Sequence, residues 1–496
     1  MSKLLDLPRE LQLQIYRKLC PHCLLFSERD FPLRPHLYLY ASSGGDCRAL
    51  KCLTLTCHQL RNIVQPLVFH WVTAPARPII PFLCLLLLRP DLGRDIKIFD
   101  PAMNVNIGDY ELSQTEVNIV NGLIQREVSI VKTEEPIRWG MRERKFTDTG
   151  EVVSWFPQNR YLHDVGAPGY SVTFYSDIQA TLYALLFHMI PGVEFLRLET
   201  SSETFPFIGH QILTSLKELF IYHNRPICLR DICLLAPQLE TLFGCGFNLS
   251  LPLEQHILKH ISMLENYVQA SSIDSLLFRL VDLESFCCNF LDQVISEDTM
   301  TPFRLSQTLL HRRETLKELR ISFNLDLETQ QNYPEICILG SLSAMEVLRV
   351  IQLNSKTLFN HELLIYDDFA LDKDCSYDLA EIGAEGVAND TIGLQAAKDI
   401  LTDFLPRSVE SLMLTPDSSH LFNALIHLAQ RCPIDFPNLR KIWVWGLSPG
   451  MQTKVNDVFL ATEVQMMGEP VNGDQDFLPR LWKPSSALEF TEALEL

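Results

Sequence analysis

Three spacings of apolar residues organise the chain. Leu7, Leu11, Ile15 and Leu19 recur every four residues, with Gln12, Gln14, Arg17 and Lys18 between them. That spacing predicts an amphipathic helix of about four turns, starting near Leu7. Asp6 can cap it, Pro8 tolerates a first turn without its amide hydrogen, and Glu10 complements the positive helix end. A second stretch, Ala49 to Val72, sets Leu50, Leu53, Cys57, Leu60, Ile63, Val64 and Leu67 at three- and four-residue steps. It predicts a helix broken in two at Pro66. The run Phe82 to Leu92 then reads as a helix, and the alternating Ile96-Lys97-Ile98-Phe99 as a strand.

A six-residue phrase with apolar residues at its first, fourth and sixth positions returns down the chain. Copies begin at Val193, Leu216, Leu239, Leu283, Leu316, Met345, Val409 and Leu439, with a degenerate one at Leu264. Steps of 23 residues between the first copies, and about 30 between several later ones, point to an α/β array. The expected fold is an irregular leucine-rich-repeat-like solenoid. In it each helix is buried against its neighbours and the strands form one curved parallel sheet. Residues 1–73 form the small helical module, with an inserted loop at about 21–47. The solenoid covers 74–447, with insertions at about 101–170 and 355–400, and 448–496 form a cap and tail. A helix is expected over Leu112–Ile130, followed by a loop with Arg138, Arg142 and Arg144. An acidic insertion runs from Glu362 to Asp390.

Alternation along each strand sends positions three, five and seven to the open concave side. The expected exposed row, a candidate for binding another molecule, is Arg197, Phe220, Tyr222, Phe243, Arg320, Arg349, Met413, Trp443 and Trp445. Such aromatic and arginine side chains are enriched at interaction hot spots. The arginines either receive an acidic or phosphorylated segment or pair with Glu199, Glu318 and Glu346.

A net charge of -19 disfavours nucleic acid and anionic membrane surfaces as partners. The start MSKLLDLPRELQ lacks a secretory signal pattern, and the run Ile79–Leu88 is half the length of a membrane span. Fourteen scattered cysteines fit a reducing compartment, cytoplasmic or nuclear, without disulfides. Phosphate-loop, zinc-protease and hydrolase signatures are absent, so no enzyme activity and no cofactor are expected. Cys20-Pro21-His22-Cys23 has the spacing of a zinc or dithiol step, with Cys47, Cys52, Cys57 and His58 downstream. A second Cys-x-x-C is missing, so no metal is expected. Asp368, Asp372, Asp374 and Asp378 lack the glycine and closing glutamate of a calcium loop.

LLDLPRELQLQIYRKLC followed by ALKCLTLTCHQLRNIVQPLVFHWV resembles the F-box, with its Leu-Pro start, Leu-x-x-Leu stretch and Cys-x-x-Leu-Arg step. The chain departs from that family in the long stretch His22 to Asp46 between the two halves. Its F-box-like start, the repeats and the Arg89-Pro90-Asp91-Leu92 step resemble the F-box proteins of filamentous fungi. The resemblance implies a substrate-recognition subunit of an SCF-type ubiquitin ligase, docked on a Skp adaptor and through it on a cullin. The adaptor-binding residues it implies are Leu7, Pro8, Leu11, Ile15, Leu19, Leu50, Leu53, Cys57, Leu60 and Ile63, with an unknown protein substrate on the solenoid. The alternative is a non-catalytic repeat scaffold that works without a cullin.

Overall fold

The structure, a computed structural model, describes residues 5–20, 22–23, 48–72, 79–100, 186–200, 213–223, 227–245, 247–248, 257–266, 269–290, 298–323, 338–354, 357–358, 399–415, 420–444, 447 and 449–467. The helix expected over Leu112–Ile130, its arginine loop, the stretch Glu362–Asp390 and most of the loop at 21–47 lie outside these residues. The chain divides into two units, residues 1–227 with 231–244, and residues 228–230 with 245–496.

The first unit opens with three helices, α1 (Arg9–Arg17), α2 (Arg48–Thr56) and α3 (His58–Phe69). Gln12, rather than Asp6, secures the start of α1: its side-chain amide donates to the Leu7 carbonyl at 2.7 Å and the Leu5 carbonyl at 3.1 Å. The second amphipathic stretch breaks at Cys57, not at Pro66. Cys57 is extended (φ -158, ψ 164), and the Thr54 and Thr56 hydroxyls donate back to the carbonyls of Lys51 and Leu53, closing α2. Pro66 is carried inside α3, close to its end.

Strands and further helices follow: β1 (Trp71–Val72), α4 (Ile79–Leu88), α5 (Pro90–Asp95), β2 (Ile98–Phe99), β3 (Phe195–Thr200), β4 (Glu218–His223), α6 (Leu229–Leu235) and β5 (Thr241–Cys245). β1 to β5 pair in chain order, all parallel. The second unit adds β6 (His260–Asn266), α7 (Ala270–Arg279), β7 (Ser285–Phe290), α8 (Pro302–Leu309), β8 (Glu318–Phe323), β9 (Val350–Asn354), β10 (Ser411–Thr415), α9 (His420–Asp435), β11 (Lys441–Val444), α10 (Pro449–Phe459) and β12 (Gln465–Met467). Again each strand pairs in parallel with the next in sequence. Parallel neighbours require a crossover, which is why the expected alternation of helix and strand leads to this topology. Among the described residues no helix is long and apolar enough to cross a membrane.

Positions one, four and six of the phrase do form the core. Val193, Leu196 and Leu198, then Leu216, Leu219 and Ile221, then Leu316, Leu319 and Ile321, then Val409, Leu412 and Leu414 are at most 2 % exposed. Position two sets the register. In the first unit the Lys97 carbonyl accepts the amides of Glu194 and Phe195, and Glu194 those of Lys217 and Glu218. In the second unit Glu284 serves Lys317 and Glu318, Lys317 serves Arg349 and Val350, and Arg349 serves Glu410 and Ser411. Side chains of opposite sign meet at several of these positions, with Lys97 and Lys217 both at Glu194 and Lys317 at Glu284.

Two boundaries differ from expectation. The copy placed at Met345 starts at Leu348, since Leu348, Ile351 and Leu353 are fully buried and Arg349 occupies position two. The expected cap at 448–496 begins with a further helix and strand, α10 and β12, that continue the array.

Candidate docking face and cysteine–histidine cluster

The helical module builds its core from Tyr16, Cys20, Leu50, Leu60, Ile63, Val64 and Leu67, with Leu5, Leu13, Cys23, Leu53, Cys57 and Val68 packed against it. α1 and the turn after it therefore bury the row Gln12, Tyr16 and Cys20. The predicted stripe lies beside that row, and Leu11, Ile15 and Leu19 remain 45 %, 41 % and 40 % exposed. Pro8 is exposed and Leu7 half-buried. Of the other expected adaptor-binding residues, Leu50, Leu60 and Ile63 are buried in the module's own core. Leu53 and Cys57 are half-buried. The sequence pattern identified the stripe but not its side, because Gln12 is polar yet buried by its two backbone bonds.

At the end of α1 the chain turns, and Cys20, His22 and Cys23 meet His70, the residue that caps the C-terminal end of α3. The Nδ1 of His70 lies 3.7 Å from the Cys20 sulfur and 3.5 Å from the Cys23 sulfur. The Nδ1 of His22 is 3.8 Å from the Cys23 sulfur, and the two imidazole rings stand edge to face at 5.1 Å. One ligand atom from each of the four side chains lies within 4.8 Å of all the others. His70 is fixed from both sides: its amide donates to the Leu67 carbonyl, and its own carbonyl accepts the amides of Lys97 and Ile98 at the start of β2. The hydrogen bond with Cys20 pulls the Cys23 thiol down to about 7, assisted by Arg17. The same bond, followed by burial, pushes Cys20 up. The sequence expectation of no metal rested on a missing second Cys-x-x-C step. Here the third and fourth donors are histidines, one of them contributed 47 residues beyond Cys23 by a helix end.

The expected concave row is not an open surface. Phe220 and Phe243 are 8 % and 3 % exposed, adjacent in register, and stacked with centroids 4.3 Å apart. Arg197 lies over the Phe220 ring at 5.2 Å and faces Asp100 at 3.7 Å. Burial pushes the Asp100 carboxyl up, while Arg197 opposes that shift. Arg320 bonds Glu318, as the ion-pair reading expected. Arg349 pairs instead with Glu410 at 3.5 Å, off the row, while Glu346 faces Arg313. Position five of the second unit reads Cys287, Arg320, Gln352, Met413 and Trp443, in that register order. Met413 and Trp443 are half-buried neighbours. The side chain of Tyr222, and Trp445, lie outside what the structure describes. Alternation predicts which side a residue faces; it carries no information about what covers that side.

No protein-family model matches the chain, and no curated protein matches it.

Proposed function

We propose that the chain is the substrate-recognition subunit of an SCF-type ubiquitin ligase, an F-box-like module joined to a leucine-rich-repeat-like array. The observation that carries this reading is the row Leu11, Ile15 and Leu19. These side chains are exposed on α1 and the turn after it, beside the row that the module's core already uses. A row of apolar side chains left in water on a small module is a surface awaiting a partner. The matched Leu-Pro and Cys-x-x-Leu-Arg steps assign that partner as a Skp adaptor. In the position-five row of the second unit the half-buried Arg320, Met413 and Trp443 are the proposed substrate contacts, while Gln352 between them is buried. Ubiquitin chemistry then belongs to other subunits.

The test is capture of a purified Skp adaptor by the full chain, comparing wild type with Leu11→Asp plus Ile15→Asp. Both positions are exposed, so the double variant is expected to keep its thermal midpoint and lose capture. Folded wild-type protein that captures no adaptor would leave a repeat scaffold independent of a cullin as the better reading.

A further inference from the structure

We infer that Cys20, Cys23, His22 and His70 form a structural zinc site that ties the end of α1 to the end of α3. Tetrahedral zinc, with Zn–S near 2.3 Å and Zn–N near 2.1 Å, separates its sulfur and nitrogen donors by about 3.6 Å. Three of the four sulfur–nitrogen separations in the cluster are 3.5, 3.7 and 3.8 Å, and one donor atom from each side chain lies within 4.8 Å of the others. The cluster thus has the dimensions of a coordination shell around a central ion, whereas a surface group of titratable residues has no reason to converge on one point. Two sulfurs and two imidazole nitrogens are the donor set that favours zinc over calcium or magnesium, which take oxygen.

Charge and position agree with this assignment. Zn²⁺ binding displaces one proton from each thiol to solvent, and two thiolates with two neutral imidazoles leave the site with no net charge. A neutral site suits a place where Cys20 is fully buried and His22 is 9 % exposed. Four protein donors close the shell, so the role is structural rather than catalytic. The module needs such a tie. Among the described residues its core holds seven buried ones, and its first helix is separated in sequence from the rest by the stretch from Cys23 to Arg48. Bridging Cys20 and Cys23 to His70 spans that stretch and fixes α1, and with it the row Leu11, Ile15 and Leu19, against α3. Because His70 also holds β2 through its carbonyl, the site sits where the helical module passes into the first parallel strands.

The experiment uses the full chain, purified under reducing conditions without chelator. Elemental analysis is expected to find about one zinc per chain. Cobalt added to metal-stripped protein is expected to give the visible bands of a tetrahedral ion with sulfur-to-cobalt charge transfer. Cys23→Ser and His70→Ala should each bring the metal content close to zero, while Cys52→Ser and Cys57→Ser retain it. Wild-type protein that keeps no zinc and gives no tetrahedral cobalt spectrum would overturn the proposal and leave a hydrogen-bonded thiol cluster. Full metal content in both Cys23→Ser and His70→Ala would overturn it as well, by placing the ion elsewhere. The wild-type measurements do not depend on whether any variant folds.

Discussion

Gln352 lies opposite Arg320 in the parallel register, three residues beyond the arginine that the repeat phrase had placed there. The strand register therefore puts a neutral amide, 1 % exposed, at the centre of the position-five row. Neither its side-chain oxygen nor its nitrogen has a hydrogen-bond partner among the described residues. An unpaired buried amide costs about 1–3 kcal/mol. Gln352→Leu is expected to raise stability by a similar amount in denaturant unfolding. Arg349→Ala, at an exposed pair with Glu410, should change it by less than about 0.5 kcal/mol. A destabilised Gln352→Leu protein would mean that the amide is satisfied.

The same segment shows where the sequence was legible. Between Met345 and Leu353 the phrase fits in two registers, Met345/Leu348/Val350 and Leu348/Ile351/Leu353, and periodicity cannot rank them. The backbone bonds at position two can, because the Lys317 carbonyl receives Arg349 and Val350 together. Helix and strand types, the parallel order and the inward face were all readable, since each follows from local spacing. The covered face of Phe220 and Phe243 and the arrival of His70 at Cys23 were not, because both depend on residues distant in sequence. The buried side of α1 was missed for a different reason, that Gln12 looks like a surface residue until its two backbone acceptors are known.

Gly93 and Gly192 mark a place where two backbones touch. A Cβ on Gly93 would collide with the carbonyl oxygen of Met189, and one on Gly192 would come within 2.6 Å of the Arg94 carbonyl oxygen. Backbone cannot move aside as a side-chain tip can, so Gly93→Ala should cost more than about 1–3 kcal/mol, the usual range for overpacking. Gly450, with nothing within 4 Å, is the control. It lies in α10, where alanine is the better helix former, and Gly450→Ala should be neutral to stabilising by about 0.5–1 kcal/mol. Thermal midpoints moving in opposite directions would bear out the contrast.

Burial, with Glu240 adding to it and Lys217 opposing, pushes the Glu218 carboxyl from its ordinary range up to about 7. The folded state therefore holds this proton more tightly than the unfolded chain does. Its contribution to stability is fully present below the ordinary carboxylate range and is lost as pH rises towards 7. Glu218→Gln stays neutral at every pH, so its stability relative to wild type should rise between pH 5 and 8. A difference that stays constant across that interval would place Glu218 in solvent as an ordinary carboxylate.

The two faces of the helical module should respond in opposite ways to truncation. Leu60 is 2 % exposed in the core and Ile15 is 41 % exposed on α1. Removing a buried leucine side chain costs roughly 2–5 kcal/mol, because the transfer energy and a residual cavity add. A half-solvated side chain with few neighbours loses little. Leu60→Ala is therefore expected to unfold the module at distinctly lower denaturant concentration. Leu11→Ala and Ile15→Ala should each stay within about 1 kcal/mol of wild type. Equal losses at Ile15 and Leu60 would mean that the stripe is internal core, and the docking face would have to be sought elsewhere. Small losses at Leu11 and Ile15 that coincide with loss of adaptor capture would separate binding from folding on one helix, since the buried row Tyr16 and Cys20 is untouched by either change.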